Sequence, residues 1–291
     1  MPLVELRLWA DTEWIAVVYD SPLLDGQSKS MTAIDFAAFV DELALVSGET
    51  IRPFFRSALS VENKSRSGGF DPVTAADRAA EAAMRALIKK TFPAHGIIGE
   101  EFPAERPDAE YVWILDPIDG TKSFICGLPA WGTLIALTRG GEPIYGMMHQ
   151  PFTHEQFSGD GSGARYCGPA GDRVLQTRPC ATLGDAIMLT TSPLLMNEAD
   201  RKCFQRVEQV VRLSRYGGDC YAYCVLAAGH VDLIIETEMK PHDVLALIPI
   251  IEGAGGVITT WEHGRPHGGG RIIAAGDRRV HSQAIKLLQT N

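Results

Sequence analysis

An apolar run that ends in two carboxylates places the strongest constraint on how this chain folds. The run covers residues 111–115, and the segment Asp-Pro-Ile-Asp-Gly-Thr at residues 116–121 follows it directly. A buried strand holds its terminal side chains in one place, and two carboxylates this close need a cation, a proton or a basic partner. Mg²⁺ binds such oxygen ligands well. Because Asp, Pro and Gly also form turns, this segment alone leaves a plain surface turn open.

Two other elements of the sequence place acids at their ends. Gly99, Glu100 and Glu101 follow a short apolar strand pattern. Much later, Asp243 begins an apolar helical pattern that a Gly-Gly pair at residues 255–256 closes. Each acid alone is typical of a solvated cap, but three such ends together indicate a multi-metal site built on a scaffold.

These segments resemble the inositol monophosphatase family of metal-dependent phosphatases. The Gly-Glu-Glu segment at 99–101, the segment at 116–121 and Asp243 with the glycines up to 256 are similar to the family motifs in order and spacing. The segment at 71–77 is similar to the family pattern Asp-x-Val-Thr-x-x-Asp. The resemblance covers about residues 32 to 288 and implies an α/β fold, the layered αβαβα sandwich of the sugar-phosphatase type, usually found as a homodimer.

Within the family, the chain resembles the histidinol-phosphatase branch. Residues 127–129, Gly-Leu-Pro, and residues 131–135, Trp-Gly-Thr-Leu-Ile, are similar to a stretch of that branch, as is the Lys-Pro-His run before Asp243. Inositol phosphatases usually continue with Thr-Asn-Phe and place Trp directly before the late Asp, and both features are missing here. The pair of Thr121 and Lys122 before a Phe is also found in the bisphosphate nucleotidase branch.

The resemblance implies a set of metal ligands. Glu100, Asp116 and the backbone carbonyl of Ile118 would hold a first Mg²⁺, while Asp116, Asp119 and Asp243 would hold a second, with Asp116 as the bridge. A third, weaker ion near Glu100 is also expected from the family. A metal pair can activate water on one side of phosphorus and neutralise the leaving oxygen on the other, which predicts in-line hydrolysis without a covalent intermediate.

Three residues are candidates for binding the phosphate and orienting the attacking water. Gly120 has no side chain, so phosphate can approach the backbone amides of Gly120 and Thr121, which begin a helix. The hydroxyl of Thr121 is expected to pair with Asp77 and to orient the water. The alternative for Asp77 is structural, because Thr74-x-x-Asp77 at a helix start also fits a capping box.

Substrate choice is assigned to Asp219 and Glu236. Histidinol phosphate carries an ammonium group and an imidazole, which two carboxylates suit electrostatically. The predicted function is therefore Mg²⁺-dependent hydrolysis of histidinol phosphate, a step of histidine biosynthesis. Two alternatives stay open: a phosphatase of the same fold acting on inositol monophosphate or a 3'-phosphoadenosine nucleotide, and a non-catalytic phosphate- or metal-binding regulator. His242 has two open readings, contact with substrate or cover over the site.

Composition limits the partners. The net charge of −9 argues against a nucleic-acid surface, which needs clustered Lys and Arg. No apolar run approaches the roughly 20 residues that span a bilayer. Six cysteines without a Cys-x-x-Cys pair fit a reducing cytoplasm. We therefore expect a cytoplasmic enzyme with a small phosphate monoester as its partner, and neither nucleic acid nor membrane.

The pattern also predicts the organisation of the chain. Residues 1–30 are predicted to be a disordered extension upstream of a natural start at Met31, with an ordered arm that touches a neighbouring subunit as the alternative. Residues 31–291 are predicted to form the phosphatase domain, with halves of about 31–180 and 181–291. Helices are expected over 36–58, 75–91, 198–211 and 221–228, and strands around 97, 112–115, 133–138, 144–149, 187–191, 233–236 and 272–275.

Overall fold

The computed structural model describes residues 5–10, 13–18, 33–58, 61–63 and 72–290. The chain separates into two units, Met1–Asp35 and Phe36–Asn291. In the first unit, strand β1 (Glu5–Ala10) pairs antiparallel with strand β2 (Glu13–Val18). The predicted boundary at residue 30 and the start at Met31 stay predictions. Met31 and Asp71 lie outside the described residues.

The helices and strands of the remaining chain alternate along the sequence. The helices are α1 (Ala33–Ile51), α2 (Ala75–Thr91), α3 (Thr121–Ile125), α4 (Glu198–Glu208), α5 (Asp219–Ala227), α6 (Pro241–Val244), α7 (Leu247–Gly253) and α8 (Arg278–Leu288). Strands β3 (Val61–Asn63) and β4 (Pro72–Thr74) pair with each other. Every helix among the described residues is too short or too polar to cross a lipid bilayer.

Two larger sheets form the frame. The first has the order β11-β10-β9-β8-β7-β6-β5 and consists of β5 (Gly96–Gly99), β6 (Tyr111–Asp119), β7 (Gly132–Arg139), β8 (Glu142–Gln150), β9 (Glu155–Gly159), β10 (Ala164–Cys167) and β11 (Arg173–Val174). The second has the order β13-β12-β14-β16-β15 and consists of β12 (Ile187–Thr190), β13 (Leu213–Tyr216), β14 (Leu233–Met239), β15 (Val257–Thr260) and β16 (Gly270–Ala275).

The helices and the two larger sheets are stacked in five layers, because apolar side chains cover both faces of each sheet. On β6, Trp113 and Leu115 join a buried cluster with α1 and α2, whereas Val112 and Ile114 join a second cluster with α5 and α7. This second cluster also includes one face of the second sheet, whose other face packs on α4 and α8. Successive strand residues point to opposite faces, so a sheet buried on both sides joins two cores. The predicted αβαβα sandwich is confirmed.

The first helix and the helical pattern after Asp243 differ from the prediction. The first helix was expected to reach residue 58, but α1 ends at Ile51 and turns follow. Pro53 lacks a backbone N–H and disfavours helical geometry at the residue before it. The apolar pattern after Asp243 forms two short helices, α6 and α7, instead of one.

Candidate metal centre

A bulge in strand β6 separates its two terminal carboxylates. Asp116 pairs with Leu134 of β7 and Asp119 pairs with Gly132, so β6 carries one extra residue between them. Pro117 cannot donate to a strand ladder. The side chain of Asp116 accepts a 3.0 Å hydrogen bond from the backbone N–H of Ile118, which closes the bend. The bulge therefore interrupts the regular alternation between Asp116 and Asp119.

Glu100 reaches the same sheet edge from the neighbouring strand. β5 is parallel to β6, and the backbone N–H of Glu100 donates to the carbonyl of Leu115 at 3.2 Å. Parallel neighbouring strands end at the same edge of a sheet. Glu100 thus follows β5 beside the position where Asp116 leaves the core.

A buried ion pair holds the loop that carries Glu100. Glu81 of α2 accepts hydrogen bonds from the backbone N–H of Glu101 at 2.7 Å and of Phe102 at 3.3 Å. The guanidinium of Arg85, one turn later, donates to Glu81 at 2.7 Å. A Cβ on Gly99 would lie 2.0 Å from the Glu81 carboxylate, so a larger residue there would displace that carboxylate. Glu81 was not predicted from the sequence, although an acid and an arginine four residues apart on a helix indicate an ion pair.

Asp243 completes the carboxylate group from a distant part of the chain. It lies in α6, where its carboxylate accepts a 2.7 Å hydrogen bond from the backbone N–H of Lys240. One oxygen each from Asp116, Asp119 and Asp243 lies within 4.8 Å of the others. One ligand atom each from Glu100, Asp116 and His242 also lies within 4.8 Å. Asp116 is shared by both groups, as a bridging ligand requires.

The electrostatics of this group favour bound cations. Burial, followed by the charges of Glu100, Asp119 and Asp243, raises the pKa of Asp116 well above its ordinary value. Burial and the charge of Asp243 do the same to the pKa of Asp119, and burial raises the pKa of Asp243. Carboxylates with mutually raised pKa values ionise together only when positive charge is supplied. The donor set of partly buried oxygens therefore fits a hard divalent cation.

The predicted pairing of Thr121 with Asp77 is wrong in its direct form. The hydroxyl of Thr121 donates to the carbonyl of Ile118 at 3.1 Å. Asp77 instead accepts from the backbone N–H and the hydroxyl of Thr74 at 2.9 and 2.6 Å, which is the capping box that the sequence left open. Both groups find partners within three residues. The charge of Glu100 nevertheless contributes to the raised pKa of Asp77, whose main cause is burial, so Asp77 lies near the cluster.

Asp219 lies directly against Gly120. Gly120 has a φ of +83°, and a Cβ added to it would lie 3.0 Å from the Cβ of Asp219. The Asp219 carboxylate accepts a 2.5 Å hydrogen bond from the hydroxyl of Ser123. The next residue, Cys220, donates its backbone N–H to the carboxylate of Asp119 at 2.7 Å. The start of α5 therefore joins the predicted substrate residue to a predicted metal ligand.

Glu236 is the second predicted substrate residue and is almost fully buried, at 5% exposure. It precedes a bulge in β14, and its carboxylate accepts from the backbone N–H of Thr191 at 2.6 Å and the hydroxyl of Thr190 at 3.2 Å. Burial raises its pKa to about 7, and the charge of Asp219 acts in the same direction. Both predicted substrate carboxylates thus lie within electrostatic range of each other.

Comparisons with known proteins cover nearly the whole chain. The sequence model of the inositol monophosphatase family matches residues 33–291. The chloroplastic bifunctional phosphatase IMPL2 of Arabidopsis thaliana is 44% identical over 89% of this chain and 77% of its own. The histidinol-phosphatase of Chlorobaculum parvum is 35% identical over 74% of this chain and 82% of its own. The solved structure of an inositol monophosphatase from Zymomonas mobilis has a TM-score of 0.80 and 39% identity, and the match covers 89% of this chain and 100% of that chain.

The sandwich and its partly buried carboxylate cluster are those of a metal-dependent class of phosphomonoesterase. This chain belongs to the inositol monophosphatase family.

Proposed function

We propose that this chain is a Mg²⁺-dependent phosphatase that hydrolyses histidinol phosphate to histidinol and phosphate. The pair of Asp219, which is partly buried, and Glu236, which is buried, beside the carboxylate cluster carries this assignment. Burial raises the pKa of both side chains, and the charge of Asp219 adds to the raised pKa of Glu236. A substrate that brings an ammonium group and an imidazole next to these carboxylates relieves their repulsion.

Residues near the ends of β5 and β6 and in α6 would hold the proposed metal ions. Glu100, Asp116, Asp119 and Asp243 would bind two or three Mg²⁺, together with the carbonyl of Ile118. Bound Mg²⁺ supplies a water of lowered pKa and neutralises charge on the phosphate and the leaving oxygen.

The other residues position the reactants. The Thr74 hydroxyl and backbone N–H fix one carboxylate oxygen of Asp77, and Asp77 is proposed to orient the attacking water. Gly120 and Thr121 start α3, where backbone N–H groups lack partners within the helix. These amides are proposed to bind the phosphate, which approaches closely because residue 120 has no side chain.

A substrate panel tests the proposal. Phosphate release in Mg²⁺ would be measured as kcat/KM for histidinol phosphate, inositol 1-phosphate and 3'-phosphoadenosine 5'-phosphate, with wild type, Asp219→Asn and Glu236→Gln. Asp160→Asn is the matched control, because Asp160 also accepts from a serine hydroxyl, at 2.8 Å, but in the turn after β9. We expect wild type to prefer histidinol phosphate about a hundredfold, nearly 3 kcal/mol.

The outcomes separate the alternatives. Loss of that preference in Asp219→Asn and Glu236→Gln, but not in Asp160→Asn, supports the assignment of both carboxylates. Unchanged turnover of histidinol phosphate by Asp219→Asn contradicts it. A preference for either of the other two substrates supports metal-dependent hydrolysis and contradicts histidinol phosphate as the substrate. Mg²⁺-dependent phosphate release that persists in Asp116→Asn shows that the ligand assignment is wrong, and no turnover of any substrate by wild type favours a non-catalytic regulator.

The homodimer and the cytoplasmic location expected from the sequence stay predictions. Light scattering of the purified protein tests the first, and fractionation of the source cells tests the second.

A further inference from the structure

His242 lies within the carboxylate cluster, although the ligand set expected from the sequence does not include it. One of its ring nitrogens shares a 4.8 Å neighbourhood with one carboxylate oxygen each of Glu100 and Asp116. The side chain is only 13% exposed, and its Nε2 lies 3.3 Å from a carboxylate oxygen of Asp243. A largely buried imidazole among three acids is in a position to bind the same cation that they bind.

The short helix α6 directs two consecutive residues to two parts of the cluster. Asp243 joins the group with Asp116 and Asp119, whereas His242 joins the group with Glu100 and Asp116. Pro241 opens the helix, where its fixed φ is compatible with the first turn. The helix therefore offers one oxygen ligand and one nitrogen ligand on either side of Asp116.

We infer that His242 is a nitrogen ligand to a divalent cation bound by Glu100 and Asp116. A neutral imidazole favours transition metals over Mg²⁺, whereas carboxylates, carbonyls and water suit Mg²⁺. The centre then has one oxygen-only position, at Asp116, Asp119 and Asp243, and one mixed position that accepts a metal such as Co²⁺ more tightly than Mg²⁺. The inference rests on the metal centre of the proposed function and adds a ligand to it.

The competing explanation is that His242 only pairs with Asp243. Removal of the imidazole would then act only by shifting Asp243, and it would lower the affinities for Mg²⁺ and Co²⁺ by similar factors. Loss of a nitrogen ligand, in contrast, lowers the affinity for Co²⁺ much more than the affinity for Mg²⁺. The ratio of the two effects therefore distinguishes a ligand from a neighbour.

The first measurement is proton NMR of the wild-type protein loaded with Co²⁺ in water. An imidazole bound to Co²⁺ gives a strongly shifted N–H resonance that disappears in D₂O. We expect one such resonance in wild type and in His267→Phe, and none in His242→Phe. His267 is the matched control, since it is 24% exposed and its Nε2 lies 3.9 Å from the carboxylate of Glu142, which is not a predicted metal ligand.

The second measurement is calorimetric titration of the same three proteins with Co²⁺ and with Mg²⁺. We expect His242→Phe to lose about tenfold or more in Co²⁺ affinity, with a clearly smaller loss for Mg²⁺. Circular dichroism in EDTA establishes that the variant is folded. If His242→Phe is not folded, the presence or absence of the shifted N–H resonance in wild type decides whether an imidazole binds Co²⁺.

Each result has a separate meaning. Wild-type protein that binds Co²⁺ without a shifted N–H resonance, or equal losses for both metals in His242→Phe, overturns the role of His242 and leaves the proposed function standing. Wild-type protein that binds neither metal overturns the metal centre and the inference with it.

Discussion

The carboxylate of Glu81 accepts a 2.7 Å hydrogen bond from the backbone N–H of Glu101, the residue next to the predicted ligand Glu100. Glu81 is fully buried, and its carboxylate pairs with the guanidinium of Arg85 at 2.7 Å. Mutation of a group that orients a metal ligand without touching the metal typically lowers the metal affinity 10- to 100-fold. Helix α2 therefore positions the loop of Glu100 through one side chain.

Glu81→Gln tests this positioning. The amide keeps the shape of the side chain but loses the charge, so we expect the apparent Mg²⁺ affinity to fall by about tenfold while kcat at saturating Mg²⁺ changes little. Mg²⁺ titrations of phosphate release separate these two quantities. Asp232→Asn is the control, because Asp232 is also buried and ion-paired, with Arg178, away from the cluster. Equal Mg²⁺ affinities in both variants would argue against the positioning role.

Removal of metal is expected to make stability depend on pH. The pKa of Asp116 is raised in the folded state, so its protonated form stabilises the fold below about pH 4, and this contribution is lost as pH rises through the folded pKa. In EDTA the wild type should therefore lose stability toward pH 8, and Mg²⁺ should restore it because it binds only the folded state.

Asp116→Asn provides the reference for that experiment. Burial lowers the pKa values of His149 and His281 to about 4. These two groups therefore reduce the stability of the fold as pH falls below the ordinary histidine pKa of 6.5, which is the opposite direction to Asp116. The difference in Tm between wild type and Asp116→Asn, measured from pH 5 to 8 in EDTA, removes their contribution. We expect the variant to be the more stable protein at pH 8 in EDTA. A difference that does not change with pH would contradict the raised pKa.

Gly120→Ala tests the contact with Asp219. A residue with a side chain at φ +83° costs about 1–2 kcal/mol, and the added Cβ would also press on Asp219. We expect lower stability together with a large loss of kcat/KM. Gly141→Ala is the matched control, since its φ is +84° and nothing lies within 4 Å of its added Cβ. It should show a similar loss of stability with full activity, and the assignment of Gly120 fails if both variants are equally active.

The pKa of Glu236 predicts a pH profile for the proposed substrate. Burial raises this pKa to about 7, so the carboxylate is ionised and able to pair with an ammonium group above that pH. We expect kcat/KM for histidinol phosphate to rise through about pH 7 and this rise to be absent in Glu236→Gln. Inositol 1-phosphate shares the ionisation of the phosphate but has no ammonium group, and its profile serves as the reference. Identical profiles for both substrates would remove Glu236 from substrate recognition.

Much of the fold follows from local patterns in the sequence. Helix α2 has the predicted bounds, and the two sheets contain every strand that was predicted. The first helix ends early, at Ile51, two residues before Pro53, and β6 continues beyond Leu115 through the motif to Asp119. In these two sheets, strands β9, β10, β11, β13 and β15 were not predicted, because their apolar residues are too few to give a clear periodicity.

The sequence by itself determined the family, the layered fold and the acids that gather at one edge of the first sheet, because these depend on periodicity and on the order and spacing of motifs. Only the tertiary structure decided which groups meet there. It pairs Thr121 with Ile118 instead of Asp77, places Glu81 under the loop of Glu100, and brings His242 to the cluster. Contacts between residues distant along the chain depend on bulges, helix ends and packing distances. A local pattern does not contain that information.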